Sequence, residues 1–352
     1  MQDKIYHVTC STDDKYAQHC AAMLCSLFEN NQDKIFCIHL LTNILSEKNR
    51  KSLEGLCLRY TNKLLIHVVN EDPLDGVQFR AKRPLTKAAY YRLLLPSILA
   101  ELDRVLYLDC DMIILGNIAP LFELDLNGYA LAACSDPMPF TDIHRLQLNH
   151  PVGTKAFCSG MMMINLAYWR EHHCEETFLK FARKKREPVY LHDQDVFNYT
   201  FKGQWFQLPP KWNVSPMKVR IYDEGFRTFD YIEYYQAPII YHYCANIKPW
   251  YGCVSPKRSY YLQYLKHSGY PDIVIQKRTF TEKLIAVKEF IRVTYRNQVE
   301  PFIPIILSML INDVIGIVNL FVLASYAITQ RTVKVRQKLG FFRFNKYSNL
   351  SR

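Results

Sequence analysis

Neither Gly-x-Gly-x-x-Gly nor Gly-x-x-x-x-Gly-Lys-Ser/Thr occurs anywhere in the 352 residues. A pyrophosphate, if one is bound, is therefore neutralised by something other than a glycine-rich loop at a helix start. Cys-x-x-Cys is also absent. The eleven cysteines (Cys10, Cys20, Cys25, Cys37, Cys57, Cys110, Cys134, Cys158, Cys174, Cys244 and Cys253) are odd in number and scattered. This pattern reads as the reduced thiols of a cytosolic protein and argues against both a disulfide framework and a zinc site. The N-terminus has no basic segment leading into a long apolar one, so no secretory signal is expected. Acidic residues are few towards the other end: residues 277 to 352 hold 13 Lys/Arg against 4 Asp/Glu, while the rest of the chain is nearly balanced at 31 against 29. A partner recognised by positive charge is met by the tail, and nucleic acid is not expected as a partner.

Short apolar runs alternate with amphipathic ones. Ile5 to Cys10 reads as a buried strand stopping at Ser11-Thr-Asp-Asp14, followed by a helix over Tyr16 to Phe28. Ile35 to Leu41 and Leu64 to Asn70 read as strands, with a helix from Ser46 to Tyr60 capped by Ser46. Lys87 to Leu95 reads as helical with Pro96 as breaker, Tyr129 to Cys134 as a strand, and Leu166 to Lys185 as one helix. Strands alternating with helices predict an α/β fold with a mostly parallel sheet covered on both faces.

The stretch from Arg104 to Asn117 organises the rest. It is an apolar, strand-like run carrying Asp109 and Asp111, near the kind of strand end where open α/β sheets place ligands. In a regular strand the two carboxylates would share a face about 7 Å apart, at a rise of roughly 3.3 Å per residue, and they converge only if the backbone turns between them. Either geometry suits a hard divalent cation. Downstream, Asp193, Gln194 and Asp195 stand at a helix start, where acids favour the positive dipole end. His242 follows an apolar run, with Lys248 six residues on. Imidazole beside carboxylates is a manganese-like donor set. Pro137 to Ala156 reads as a long loop of the kind that covers a substrate.

Six blocks stand in one order: Cys10-Ser-Thr-Asp-Asp-Lys-Tyr16, Tyr90-Tyr-Arg-Leu93, Val105-Leu-Tyr-Leu-Asp-Cys-Asp111, Phe157-Cys-Ser-Gly160 with Ile164-Asn-Leu166, His192-Asp-Gln-Asp195, and His242-Tyr-Cys-Ala-Asn-Ile-Lys-Pro-Trp250. In this the chain resembles glycosyltransferase family 8, the retaining, metal-dependent transferases related to bacterial lipopolysaccharide galactosyl- and glucosyltransferases. The resemblance spans roughly residues 4 to 255. It implies a GT-A fold, Rossmann-like, with the nucleotide-sugar-binding catalytic domain over 1–255 and a mainly helical, basic and aromatic region over 256–352. It also implies a hexose, glucose or galactose, moved from a UDP-sugar to a hydroxyl of a glycan or lipid-linked glycan acceptor such as lipopolysaccharide. By the same resemblance Asp109, Asp111 and His242 hold Mn2+, with Mg2+ as the alternative. Cys10, Ser11, Thr12, Asp13, Tyr16, Cys110 and Ala245 line the nucleotide site, Lys248 binds phosphate, Arg92 and Asp193 hold the donor sugar, and Gln194 lies beside the anomeric carbon. Lys15, Cys158 and Ala245 stand where the family usually has Asn, Asn and Gly.

Two other classes share parts of the pattern: a catalytically degenerate, membrane-associated sugar-binding protein of the same fold, and an Asp-x-Asp phosphatase, against which Ile113 counts because that motif wants Thr or Val there. Phe302 to Ile328 is strongly apolar, but Asp313 near its centre costs roughly 2.5 to 3.5 kcal/mol on insertion scales. Its narrow stripe of Ser308, Asn312, Gly316 and Asn319 suits a helix lying in the membrane interface, with the basic Arg331 to Tyr347 segment drawn to anionic lipid. A buried helix and a true span are the alternatives. The expected location is peripheral, at the cytoplasmic face of the inner membrane.

Overall fold

The computed structural model describes residues 4–77, 87–136, 148, 150, 155–184, 193–215, 237–244, 248–251 and 257–270. Two compact units are formed, Met1–Trp250 with Lys257–Val274, and Tyr251–Pro256 with Ile275–Arg352. Every described strand and helix belongs to the first. The apolar segment at 302–328, most of the loop at 137–156, His192 and Ala245 lie outside the described residues. Among those described, no helix is long and apolar enough to cross a membrane.

The first half alternates as its periodicity requires: β1 (Ile5–Ser11), α1 (Ala17–Glu29), β2 (Ile35–Thr42), α2 (Glu47–Arg59) and β3 (Lys63–Val68). Ser46 caps α2, its hydroxyl accepting from the Asn49 amide at 3.4 Å. Lys87–Leu94 is a 3-10 stretch, followed by α3 (Leu95–Ile98), in which Pro96 occupies the first turn. Proline fits there because the first helical amides need no partner within the helix, so Pro96 starts a helix where the sequence pattern suggests a stop. Next come β4 (Arg104–Leu108), β5 (Met112–Ile114), α4 (Ala119–Phe122), β6 (Leu131–Ser135) and β7 (Phe157–Asn165). The helical pattern over Leu166 to Lys185 is divided into α5 (Leu166–Glu171) and α6 (Cys174–Arg183), with His173 left-handed at φ 48°. α7 (Asp193–Thr200), β8 (Trp205–Leu208), β9 (Ile240–His242) and α8 (Arg258–His267) complete the described elements.

The main sheet has the order β3-β2-β1-β4-β7-β6-β8, and a separate ribbon pairs β5 with β9. Six of the seven strands run one way; β7 alone is antiparallel to its neighbours β4 and β6. That reversal sets the first residues of β7 beside the carboxyl end of β4, with Met161 opposite Leu108. α5, α6 and α7 contribute Trp169, Phe178 and Phe197, and Phe201 just after α7 joins them in a buried cluster, whose rings meet at centroid distances of 5.0 to 5.5 Å.

α8 packs along α1. Tyr261 Oη lies 2.7 Å from His19 Nδ1, Asn30 donates to Tyr264 Oη at 2.8 Å, and Arg59 donates to the carbonyl of His267 at 2.8 Å. A helix that the sequence assigns to the C-terminal region is thus part of the first unit. Tyr261 is 2% exposed, so Tyr261→Ala is expected to cost about 3 to 5 kcal/mol, as for other large buried rings. Urea denaturation checks this; a loss under about 1 kcal/mol would show that α8 contributes little to the packing.

Candidate active site

The strand-like stretch around Asp109 is two strands in two sheets. After Leu108 the backbone turns at Asp109-Cys110-Asp111. The Asp109 amide still donates to the Gly160 carbonyl of β7 at 2.9 Å, and the Asp111 carbonyl already accepts from the Tyr243 amide at 2.8 Å. The β5–β9 register places His242 opposite Met112. His242 Nε2 lies 3.2 Å from Asp111 Oδ1 and 3.8 Å from Asp109 Oδ2, and one donor atom from each of the three residues falls within 4.8 Å of the others.

These residues fit a divalent cation on three grounds. Two carboxylates and an imidazole are the donor chemistry of a manganese-like site. Asn213 Oδ1 sits 3.0 Å from His242 Nδ1; a carboxamide oxygen there accepts the Nδ1 proton and leaves Nε2 facing the acids. Gly160 leaves room for the arrangement, since a Cβ at that position would fall 2.4 Å from His242 Cε1 and 2.9 Å from Asp109 Oδ2. Charge is also arranged for it. Burial favours a neutral Asp111, but Lys248 and His242 override it and hold the carboxyl well below the usual range. Burial likewise opposes the imidazolium, and Asp111 overcomes this to raise His242 to about 10. Lys248 pairs with Asp111 and donates to the Tyr243 carbonyl at 2.8 Å. The two cations compensate the acids.

Arg92 lies 4% exposed beneath the pair. Its Nη2 donates to Asp109 Oδ1 at 2.7 Å, Nη1 to the Ser159 carbonyl at 2.9 Å, and Nε to the Ala89 carbonyl at 3.0 Å. Nε is also 3.3 Å from Asp193 Oδ2. The guanidinium covers the Tyr107 ring at 4.2 Å, and that tyrosine donates to Asp109 Oδ1 at 3.0 Å. Gln194 accepts from the Ser159 amide at 3.1 Å and donates through Nε2 to Asp136. Because a backbone N–H can only donate, this fixes which end of the Gln194 amide is oxygen.

Burial pushes the Asp193 carboxyl up to about 6, against the pull of Arg92 and helped by Asp109. A carboxyl that binds its proton more tightly folded than unfolded stabilises the fold fully below about pH 4, and this contribution is lost as pH rises through about 6. Asp193→Asn mimics the protonated form while Arg92 keeps Asp109. At about pH 8 it is expected to be more stable than the natural protein by about 3 kcal/mol, the difference vanishing near pH 4. Denaturant midpoints across that range check this; a variant less stable at the alkaline end would refute it.

The glycosyl transferase family 8 profile matches residues 7–252. The chain belongs to glycosyltransferase family 8. It is 28% identical over 281 residues to general stress protein A of Bacillus subtilis (strain 168), covering 77% of this chain and 97% of that one. It is 25% identical over 271 residues to lipopolysaccharide 1,2-glucosyltransferase of Escherichia coli (strain K12), covering 76% and 79%. Its structure matches that of an active-site mutant of LgtC with a TM-score of 0.65 at 23% identity, covering 74% of this chain and 95% of that one. A second LgtC structure, the galactosyltransferase in complex with donor and acceptor sugar analogs, matches at a TM-score of 0.60 and 22% identity, covering 75% and 95%. The fold is the GT-A fold and the family 8 chain is a glycosyltransferase, a class that uses a divalent metal and a nucleotide sugar and joins a sugar donor to a glycan acceptor.

In this family 8 chain the residues of the first block gather at the end of β1. Asp13 Oδ1 accepts from the Tyr16 amide at 2.9 Å, so the carboxylate braces the turn into α1. Tyr16 meets the edge of Trp250 at a centroid distance of 5.5 Å, and His19 stacks on the same indole at 3.7 Å. Cys110 Sγ donates to the Ser11 carbonyl at 3.2 Å, tying the Asp turn to β1. Cys10 Sγ lies 3.7 Å from Cys20 Sγ, and these two thiols with Cys110 form one buried group. The ten described cysteines are unpaired. Sequence reasoning does not single out Asn213, Ser159, Tyr107, Asp136 or His19. Two of them carry a signal: Ser159 stands inside the Phe157–Gly160 block, and Tyr107 stands two residues before Asp109, where a strand returns to the same face.

Proposed function

We propose that the chain is a retaining hexosyltransferase that moves glucose or galactose from a UDP-sugar to a glycan hydroxyl, with Mn2+ or Mg2+ held by Asp109, Asp111 and His242. The observation that carries this is the convergence of those three donors in a space kept open by Gly160. A bound divalent ion there stabilises the charge that develops on a leaving diphosphate, worth several kcal/mol. Lys248, beside Asp111, adds a point charge to the same phosphate. Ser11, Asp13 and Tyr16, the partly exposed members of the first block, form the floor for the nucleotide, with the buried Cys10, Thr12, Cys110 and Trp250 backing them. Arg92 and Asp193 hold donor-sugar hydroxyls, and they do so rigidly because Arg92 is fixed on several sides before substrate arrives.

Gln194 is a positioning group beside the anomeric carbon. Its carbonyl already accepts from the Ser159 amide and its Nε2 donates to Asp136, so the amide is anchored, and a carboxamide oxygen is a poor nucleophile. This supports attack by the acceptor hydroxyl on the face the diphosphate leaves, without a covalent glycosyl-enzyme. The test is a donor-hydrolysis panel of UDP-glucose and UDP-galactose with Mn2+, with Mg2+ and with chelator. UDP release that requires the metal is expected. Release of inorganic phosphate alone would indicate a phosphatase, and no release at all a sugar-binding protein; either would overturn the reading.

A further inference from the structure

A second group of metal-ligating side chains lies on the main sheet, away from the Asp turn. Cys10 of β1 points at Cys20 of α1, so the alternation along a strand sends His7 and Thr9 to the opposite face. The parallel register puts His7 opposite Cys37, with His39 two residues further along β2 on the same face. On β3, His67 is opposite Leu41 and joins that face too. Three strands thereby line up three imidazoles and a thiol. His7 Nδ1 is 3.0 Å from His39 Nε2, and His39 Nδ1 is 3.0 Å from His67 Nε2. Donor atoms of His7, Cys37 and His39 all fall within 4.8 Å of one another.

We propose that His7 Nδ1, Cys37 Sγ and His39 Nε2 form a binding site for a zinc-class transition-metal ion, distinct from the Asp109, Asp111 and His242 site and independent of the donor chemistry proposed there. Two imidazoles and a thiolate are borderline-to-soft donors that select zinc-like ions over magnesium or calcium. In a tetrahedral site with Zn–N of about 2.0 to 2.1 Å, neighbouring nitrogens stand about 3.3 Å apart, so the 3.0 Å contact of His7 and His39 opens by only a few tenths of an ångström. The partner that would orient the ring is also in place: with the ion on Nε2, the His39 Nδ1–H would donate to His67 Nε2, 3.0 Å away, the arrangement that fixes the tautomer of a ligating histidine.

Binding exchanges protons for the ion in a balanced way. Cys37 gives up its thiol proton to solvent, and each imidazole stays neutral with its remaining N–H on the nitrogen that faces away from the ion. Cys37 and His39 are each 5% exposed. Burial lowers His39 to about 4 and keeps it in the neutral, ligating form, while the same burial raises Cys37 and Lys63, its register partner on β3, partly offsets this. His7 is only half-buried, which gives an ion access and leaves the fourth coordination position to water. Such an ion would clip β1 to β2, with β3 attached through His67.

The experiment uses the full chain, stripped with chelator and titrated with Co2+. A thiolate-to-Co2+ charge-transfer band in the near ultraviolet is expected, lost on adding Zn2+, and absent in Cys37→Ser and in His39→Gln. Cys110→Ser and Cys158→Ser, at the thiols nearest the other site, are expected to keep it. His67→Gln should weaken binding roughly 10- to 100-fold, as loss of a ligand-orienting partner does. Because Cys37 and His39 are buried and their variants could fold poorly, the half-exposed His7→Gln gives a second reading: Zn2+ should raise the melting temperature of the natural protein and leave that of His7→Gln unmoved. No band in the natural protein, a band that survives in Cys37→Ser, or an equal thermal shift in His7→Gln would each overturn the proposal.

Discussion

Asp111→Ala is expected to reduce metal-dependent donor hydrolysis on the order of a thousandfold, the size that corresponds to losing several kcal/mol of charge stabilisation. The same substitution should unsettle the fold. In the natural protein the Asp111 carboxylate lies against both Lys248 and a His242 raised to about 10. Removing it leaves Lys248 without its carboxylate in a largely buried place and lets burial return His242 to the neutral form, a change that costs about 3 to 5 kcal/mol when one partner of a buried pair is deleted. The stability gap has a pH signature. Asp111 contributes fully above its unfolded pKa of about 4, and this is lost only as pH falls through its strongly lowered folded value; His242 contributes fully below its unfolded pKa of about 6.5 and is lost as pH rises through about 10. The gap should therefore be widest near neutrality and narrow towards both extremes. Single-turnover UDP release with Mn2+ and denaturant melts across pH measure the two effects separately. Unchanged metal-dependent hydrolysis in the variant would overturn the assignment of Asp111.

Gly160→Ala adds one methyl group and is expected to lower activity about a hundredfold by displacing His242. Gly160 has no positive φ, so what it supplies is room: the new methyl would stand 2.4 Å from an imidazole carbon and 3.0 Å from His242 Nδ1. The ring must then move away from Asp109 and from Asn213, which together set its direction. The stability cost should be about 1 to 3 kcal/mol, typical of overpacking, leaving folded protein in which the loss can be assigned to the metal. The diagnostic is a Mn2+ titration of hydrolysis. A rise in the half-saturating concentration marks a disturbed ligand set, and an unchanged titration with full turnover would show that the methyl is accommodated.

Much of the first half is legible because each strand there is a bounded apolar run and each helix an uninterrupted amphipathic one. The helix over Ala17–Glu29 and the one over Glu47–Arg59 end within a residue of where periodicity puts them. Periodicity misleads where apolar residues continue through a change of direction. Arg104 to Asn117 reads as one strand-like run, with a turn between the two acids left open, because both flanks of Asp109-Cys110-Asp111 are apolar, although they lie in different sheets. Leu166 to Lys185 reads as one helix because nothing in the pattern marks the left-handed residue His173. In the candidate site the charged residues stand out as carboxylates and bases in a recognisable order. Asn213 does not, since a carboxamide that orients a ring through one hydrogen bond has no pattern of its own. The histidine row is hidden for a related reason: its members lie on three strands, and only the register between strands brings them together.

The ribbon of β5 and β9 has a consequence for how such a chain can change over time. His242 reaches the acids because it pairs opposite Met112, so the ligand set is gauged by strand register and is indifferent to the length of chain between Ser215 and Ala237. Insertions or deletions in that connection leave the three donors in place provided the pairing is kept. A slip of a single residue in the pairing, by contrast, would present Tyr241 or Tyr243 at the acids and turn the histidine to the other face. The ribbon itself thus tolerates substitutions but no change in count.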